Sequence, residues 1–404
     1  MAKQTFAIIG AGVAAATAAD TLRSSGFDGR LVMIGKESDP PYNRPTLSKE
    51  RLRGEISDDQ ALFHPFEYYK SKDIELLLER EVQRVSVAEN AVHFAGDGAP
   101  FRFDRALIAV GARPRRVNVP GTELEGVYYL RSLADCRKLS EALERRPRIL
   151  VLGTGFIGCE VAASAKTVGC DVTVVGSKAP LAHALGPEAG EIYLGYHRGQ
   201  GLDVRIGTSV ARFEGQDRLE RVHLTDGGTL DCDAAVIGIG VEPSIEIVRN
   251  EPVDTSDGIL VDEFCKTTAP SIFAAGDVAS SWSPRYDRRL RVEHFDNAQH
   301  QAVVAAKAML GPTDPYNPIP TFWSDQYTYR LQYRGYSPAW DAFELRGKPS
   351  EGSFSAFYLN DGVVQAVCSV NRYKENYAAR RLLGKRVAAS LLKDDSADVK
   401  EIEV

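Results

Sequence analysis

The sequence predicts an α/β protein with two βαβ units and a smaller α+β region at its C-terminal end. Three observations predict it. An apolar strand, a glycine turn and an Ala-rich helix open the chain at Phe6-Ala7-Ile8-Ile9 and Gly10-Ala11-Gly12-Val13-Ala14-Ala15. The same order returns at Ile149-Leu150-Val151-Leu152 and Gly153-Thr154-Gly155-Phe156-Ile157-Gly158, followed by a helix that carries Glu160. Beyond the Pro- and Asn-rich stretch 312–320, the pattern changes to closely spaced strands and a basic helix.

Taken in order, the first unit runs from Phe6 to about Gly35 and ends in the strand Leu31-Val32-Met33-Ile34. Alternating apolar residues then predict strands at 82–87, 91–94 and 105–110, and Gly111-Ala112-Arg113-Pro114 breaks the chain at a domain crossing. The second unit runs from Ile149 to Val175, with further strands at 204–206, 222–225 and 234–239. In the last region, strands are expected at 330–333, 354–359 and 363–370, and the polar end from Asp394 is expected to fray.

Each glycine turn fits one chemistry. The first glycine permits the tight turn, the second lets a pyrophosphate approach the backbone, and the third small residue brings helix and strand together. The helix N-terminus then faces the negative charge. Two such Rossmann-like units in one chain point to two nucleotides held at once, and so to electron transfer. The domain boundaries that follow are 1–112 with 240–318 for one nucleotide, 113–239 for the other, and 319–404 for the C-terminal α+β domain.

Bulk properties narrow the class further. The 404 residues are 44% hydrophobic and 26% charged, and the net charge is 49 − 55 = −6, which argues against nucleic acid as the main partner. No apolar run approaches the length needed to span a membrane, and the first strand begins too early for a signal peptide, so a cytoplasmic location is expected. The six cysteines, Cys136, Cys159, Cys170, Cys232, Cys265 and Cys368, form no C-x-x-C or C-x4-C pair and are expected to be buried small hydrophobes.

Glu37, just past the strand ending at Ile34, is placed to accept hydrogen bonds from ribose hydroxyls, the alternative being a solvated loop charge. The string Pro41-Tyr42-Asn43-Arg44-Pro45-Thr46-Leu47-Ser48-Lys49 is the most specific in the chain. It resembles the P-Y-x-R-P-x-L-S-K signature of the FAD-dependent ferredoxin reductases that serve bacterial aromatic-ring dioxygenases and cytochromes P450. The resemblance spans nearly the whole chain and implies the glutathione-reductase type of flavoprotein fold. In the disulfide reductases of that fold this region carries a C-x4-C pair; here it has no cysteine, which excludes a thiol-based activity.

The resemblance implies specific roles. Lys49 would lie near the flavin and stabilise negative charge on its reduced form, with Glu160 holding it in place. Arg44 belongs to the same signature. Ala109, in Leu107-Ile108-Ala109-Val110-Gly111-Ala112-Arg113-Pro114, resembles the crossover against FAD, although Val110 replaces the usual Thr. Arg131 would reach the flavin, and Val82 would bond adenine through its backbone. Gly276-Asp277 resembles the second FAD motif, the alternative for Asp277 being an ordinary turn. Glu293, His294 and Phe295 resemble the segment under the flavin ring, with His294 as a lining residue. Trp323 is either near the flavin or in the core.

On the nicotinamide side the resemblance implies Gly153, Gly155, Ile157, Gly158, Glu160 and Gly240, with Ser177 and Lys178 at the tip of the second strand. Relatives that use NADH place an acid at this tip; Gly176-Ser177-Lys178 has none. NADH remains what the resemblance implies, with NADPH admitted by the missing repulsion, unless Lys178 is merely solvated. The resemblance implies transfer of hydride from NAD(P)H to FAD, then of single electrons to a separate [2Fe–2S] ferredoxin. Arg372, Lys374, Arg380, Arg381, Lys385 and Arg386 cluster against one acid, Glu375, and form either a docking patch for that ferredoxin or a solvated helix face. Three alternatives remain: a redox signalling flavoprotein resembling apoptosis-inducing factor, a small-molecule reductase of the monodehydroascorbate type, and a nucleotide-binding scaffold whose flavin NAD(P)H does not reduce.

Overall fold

A computed structural model of the chain describes residues 3–96 and 98–403. The chain divides into two compact units. The first comprises Met1–Thr46, Ile56–Arg113 and Val241–Pro318; the second comprises Leu47–Glu55, Pro114–Gly240 and Ile319–Val404.

The first unit is built on a five-stranded parallel sheet in the order Ile272–Ala274, Arg105–Ile108, Thr5–Ile9, Arg30–Ile34, Ile74–Leu77. Successive residues of a strand point to opposite faces, so the opening strand serves two cores. Phe6 and Ile8 join Leu31, Met33, Leu107 and Phe273 beneath the helices Val13–Ser24 and Phe295–Ala308. Ala7 and Ile9 join Val32, Ile108 and Ile272 on the other face, against Val85, Val92, Ile259 and Val261. Burial on both faces explains why these strands read as unbroken apolar runs. The two helices pack on each other through alanines, among them Ala15, Ala18, Ala302 and Ala305, whose small side chains let the axes approach.

The second unit repeats the parallel plan with strands Asp203–Ile206, Asp171–Gly176, Arg148–Leu152, Ala234–Ile237 and Val127–Tyr129, in that order. It also holds a five-stranded antiparallel sheet in the order Thr321–Gln326, Tyr329–Gly335, Val363–Val370, Ser353–Asn360, Ala342–Lys348. These two parts share one apolar core. Cys159, Leu185 and Tyr193 pack with Tyr329, Tyr333, Phe354, Tyr358 and Cys368. Residues expected to form two domains thus lie in one unit, because the inner face of the antiparallel sheet is covered by the helix Ala182–Gly199 and its neighbours.

Three expectations are corrected. Residues 47–55, expected with the first domain, group with the second unit. Polar side chains tie their backbone there: the Ser164 hydroxyl donates to the Ser48 carbonyl at 2.7 Å, and the Ser140 hydroxyl to the Leu52 carbonyl at 3.2 Å. The tail expected to fray from Asp394 is packed through Ile402. Val399 and Ile402 are buried with Leu392 in a small core, and the buried Arg346 guanidinium donates to the carbonyls of Asp394 and Ala397. The basic helix is also shorter than expected. It spans Tyr373–Ala378, continues as a 3-10 turn over Ala379–Leu382, and leaves Lys385 and Arg386 outside it.

Among the described residues, no helix is long and apolar enough to cross a membrane.

Candidate functional site

In the first unit the glycine turn is locked between strand ends. The Gly10 amide donates to the Ile34 carbonyl at 2.7 Å, and φ at Gly10 is +117°. A Cβ there would lie 2.2 Å from the Ala109 carbonyl oxygen, so only glycine fits. Gly12 caps the helix Val13–Ser24, no side chain bonds the helix N-terminus, and the space beside its Cα is open. Ala14 and Ala15 turn inward and are buried. Gly276, at φ +82°, faces the Ala14 methyl, with a Cβ position 3.4 Å away; its amide donates to Gln301 Oε1 at 2.9 Å. These contacts bring Ala109, the first glycine turn and Gly276-Asp277 to one place and leave a cradle for a dinucleotide.

The remaining candidates of this unit divide between that cradle and the surface. Glu37, Tyr42 and Arg44 form a triangle. Tyr42 donates to Glu37 at 2.6 Å, while Arg44 donates to the Tyr42 oxygen at 2.8 Å and to Glu37 at 3.2 Å. Burial opposes the Arg44 charge, but Tyr42, Glu37 and Asp277 outweigh it and raise its pKa. Glu37 is thus braced by a phenol and a guanidinium. His294 caps the helix Phe295–Ala308, and burial lowers its pKa to about 4 against the pull of Asp277 and Asp296, so the imidazole is neutral. Phe295 lies 6.0 Å from Phe63, ring to ring. Glu293 is exposed and paired with Arg291, a partner that sequence reasoning missed. Val82 opens the strand Val82–Ser86 opposite Phe94. Three expected flavin residues, Lys49, Arg131 and Trp323, belong to the other unit. The Arg131 amide helps to cap the helix Leu133–Glu144 by donating to Asp135, and Trp323 is 39% exposed, which removes its reading as a core residue.

The second unit carries its own cradle. The Gly153 amide donates to the Val175 carbonyl at 2.8 Å, and a Cβ on Gly153 would lie 2.1 Å from the Gly238 carbonyl. At Gly158 a Cβ would lie 2.2 Å from the Gly153 carbonyl, which shows why the third position is glycine. Gly155 caps the helix Phe156–Thr167 beside open space, and Ile157 is 46% exposed. Gly240, at φ +99°, accepts from the Arg115 amide at 3.0 Å.

At the strand tip a side chain on Gly176 would begin 2.6 Å from Thr154 Cγ2, so Thr154 closes the space beside this glycine. Ser177 and Lys178 are exposed, and the Ser177 hydroxyl lies 3.2 Å from His183 Nε2. His183 was not visible as a candidate, since only the turn into the helix Ala182–Gly199 brings it back to the strand tip.

This unit also holds a buried ion pair. Lys49 Nζ lies 2.7 Å from Glu160 Oε2, with side chains only 6% and 4% exposed. Ser48 donates to the same oxygen, and Ser324 donates to Oε1 at 2.8 Å. Removing one partner of such a pair costs about 3–5 kcal/mol, because the other charge is left buried alone. Ser48 belongs to the 41–49 string but was assigned no role there, and Ser324 gave no sequence signal of its own.

All six thiols are buried and none is bonded to another. Burial raises Cys170 and Cys232 to about 11 and Cys368 to about 12, and pushes Cys159 and Cys265 higher. These five thiols therefore stay protonated, and so poorly nucleophilic, near neutral pH.

The basic cluster is largely neutralised. Arg372 pairs with Glu375 at 3.3 Å and also with Asp395; Arg386 pairs with Asp361 at 2.8 Å; Arg381 donates to the carbonyls of Val399 and Ile402. Glu375 is thus not the only acid there, and a continuous basic helix face is not present. Lys374, Arg380 and Lys385 remain exposed beside Tyr373 and Tyr377.

Residues 4–302 match the family described as pyridine nucleotide-disulphide oxidoreductase, and residues 321–403 match the reductase C-terminal family. The chain belongs to this oxidoreductase family. It is 36% identical over 401 residues to the 5,5'-dehydrodivanillate O-demethylase ferredoxin reductase subunit of a Sphingobium species, covering 98% of this chain and 97% of that one. It is 35% identical to the biphenyl dioxygenase system ferredoxin–NAD(+) reductase component of Paraburkholderia xenovorans, with 98% of each covered. Among solved structures, the covalent putidaredoxin reductase–putidaredoxin complex matches with a TM-score of 0.94 at 33% identity, over 99% of this chain and 98% of that one. The ferredoxin reductase for the CYP199A2 system of Rhodopseudomonas palustris also gives 0.94, at 34% identity over 98% and 99%. Within the oxidoreductase family the chain is of the ferredoxin reductase kind. Its six thiols are all buried and none is joined to another in a disulfide.

Proposed function

We propose that the protein is an FAD-dependent NAD(P)H:ferredoxin reductase that supplies electrons through a separate [2Fe–2S] ferredoxin to an aromatic-ring dioxygenase or a cytochrome P450. One observation carries the reading: two dinucleotide cradles occur in a chain whose segment 40–49 has no cysteine and whose thiols are all buried. Electrons taken from a nicotinamide then leave to an external acceptor. When bound, FAD supplies the conversion of a two-electron donor into two one-electron deliveries.

In this reading the turn at Gly10, Gly12 and Ala15 and the helix behind it bind the FAD pyrophosphate. Glu37 accepts from the ribose, Asp277 from hydroxyls on the pyrophosphate side, and Ala109, His294 and Phe295 line the ring. The turn at Gly153, Gly155 and Gly158 binds NAD(P)H, with Ile157 and Gly240 beside the nicotinamide half. Lys49 supplies positive charge to the reduced flavin, and Glu160 orients Lys49. Dual nicotinamide use is part of the proposal: NADH by likeness to the biphenyl relative, and NADPH because Lys178 and His183 flank a strand tip without an acid.

The test is anaerobic stopped-flow mixing of the flavin-loaded protein with NADH and NADPH in parallel, then with a [2Fe–2S] ferredoxin. Rapid bleaching followed by rapid reoxidation is the expected result. Bleaching followed by slow ferredoxin reduction points instead to a signalling or small-molecule role. Absence of bleaching with either nucleotide overturns the reading.

A further inference from the structure

Glu160 stands at the end of a buried chain of hydrogen bonds that reaches well beyond Lys49. The strand Thr321–Gln326 alternates, so Ser324 and Gln326 share its buried face while Trp323 and Asp325 point the other way. Ser324 donates to Glu160 Oε1 at 2.8 Å; Gln326 Nε2 donates to the Ser324 hydroxyl at 3.1 Å; His197 Nε2 lies 2.9 Å from Gln326 Oε1. All four side chains are buried. His197, on the helix Ala182–Gly199, sits among the rings of Tyr196 and Tyr327, and its Nδ1 has no partner.

We infer that Ser324, Gln326 and His197 are positioning residues that hold Glu160, and through it Lys49, in one orientation. The direction of the chain carries the inference. Burial lowers His197 to about 4, so its imidazole is neutral and has one N–H. With Nδ1 unpartnered, that N–H is on Nε2 and donates to the Gln326 oxygen. The Gln326 amide is thereby oriented, with its NH2 toward Ser324. Ser324 now accepts from Gln326, so its single proton goes to Glu160. If the amide turned over, Ser324 would donate to Gln326 instead and Oε1 would lose its donor. Each bond in such a one-way chain polarises the next, and the chain ends on the carboxylate that holds Lys49.

The experiment follows Lys49 in the full-length, flavin-loaded protein by acetylation with an amine-reactive ester, read by mass spectrometry, with exposed Lys348 as the internal reference. The variants are Ser324→Ala, Ser324→Thr, Gln326→Met and His197→Phe. Loss of one hydrogen bond to a charged group implies an increase of about tenfold in Lys49 labelling for Ser324→Ala. Gln326→Met and His197→Phe, which retain volume, are expected to raise it less, and Ser324→Thr, which retains the hydroxyl, to restore protection. Unchanged labelling in both Ser324→Ala and Gln326→Met overturns the inference; so does Ser324→Thr labelling as fast as Ser324→Ala.

A kinetic arm rests on the proposed function: kcat with NAD(P)H falls in Ser324→Ala while KM does not change. Increased labelling in a protein that neither nucleotide reduces would support the positioning chain while defeating the reductase reading.

Discussion

At the scale of single residues, the Lys49–Glu160 pair is where fold and proposed chemistry share one set of atoms. Lys49→Ala leaves a carboxylate buried with only hydroxyl donors, so we expect a stability loss of about 3 kcal/mol or more, seen as a lower thermal midpoint, together with slower flavin reduction. An unchanged midpoint and an unchanged flavin potential would remove Lys49 from the mechanism. His197 gives a prediction about pH. Its folded pKa of about 4 lies below the unfolded 6.5, so between those values the unfolded chain binds a proton that the folded chain refuses. Its contribution is therefore complete above pH 6.5 and is lost as pH falls toward 4, up to about 3 kcal/mol. Calorimetry across that range should show His197→Phe losing less stability on acidification than the parent. Lys49 and Glu160 were legible from the family signature. Ser324 was not, because its partner lies 164 positions away and nothing local marks a serine as a donor to it.

At the scale of elements, the strand–glycine–helix turns are governed by close backbone approach. Gly158→Ala would force a methyl to within 2.2 Å of the Gly153 carbonyl. We expect the helix Phe156–Thr167 to shift, at a cost of about 1–3 kcal/mol, and NAD(P)H affinity to fall while FAD stays bound. Titration of the yellow protein with either nucleotide checks this; wild-type affinity would refute it. The tip of the strand Asp171–Gly176 yields a second test. Lys178→Glu replaces an exposed cation by an acid and should lower the NADPH/NADH efficiency ratio about fivefold, by the usual worth of exposed charge pairs. These turns were readable because the glycine spacing falls within a dozen residues, although the carbonyls that crowd Gly10 and Gly153 come from the distant Ala109 and Gly238. The end of the basic helix at Leu382 was not, since the charges that read as one face are claimed by Asp395, Asp361 and the tail carbonyls, partners that only folding supplies.

At the scale of the whole molecule, a net charge of −6 makes any attraction to an acidic ferredoxin a local matter. Within the cluster of residues 372–386, Lys374, Arg380 and Lys385 are exposed beside Tyr373 and Tyr377, which are 66% and 59% exposed. If the ferredoxin docks there, Lys374→Glu with Arg380→Glu slows ferredoxin reduction about tenfold at low salt and little at high salt, with flavin reduction by NAD(P)H unaffected. An equal loss at both salt levels would place docking elsewhere.

By itself the sequence determined the two dinucleotide units, the parallel sheets behind them, the inert cysteines and the likeness to ferredoxin reductases. Each depends on short-range pattern: apolar runs, glycine spacing, and strings such as 41–49. Tertiary structure alone decided that residues 47–55 join the second unit, that its two sheets share one core, and that Glu160 is gripped from three sides. It also decided which surface arginines keep their charge unmatched. Those outcomes depend on which distant side chains meet, and burial makes such meetings decisive: away from water, a carboxylate or an imidazole must find its partners within the protein.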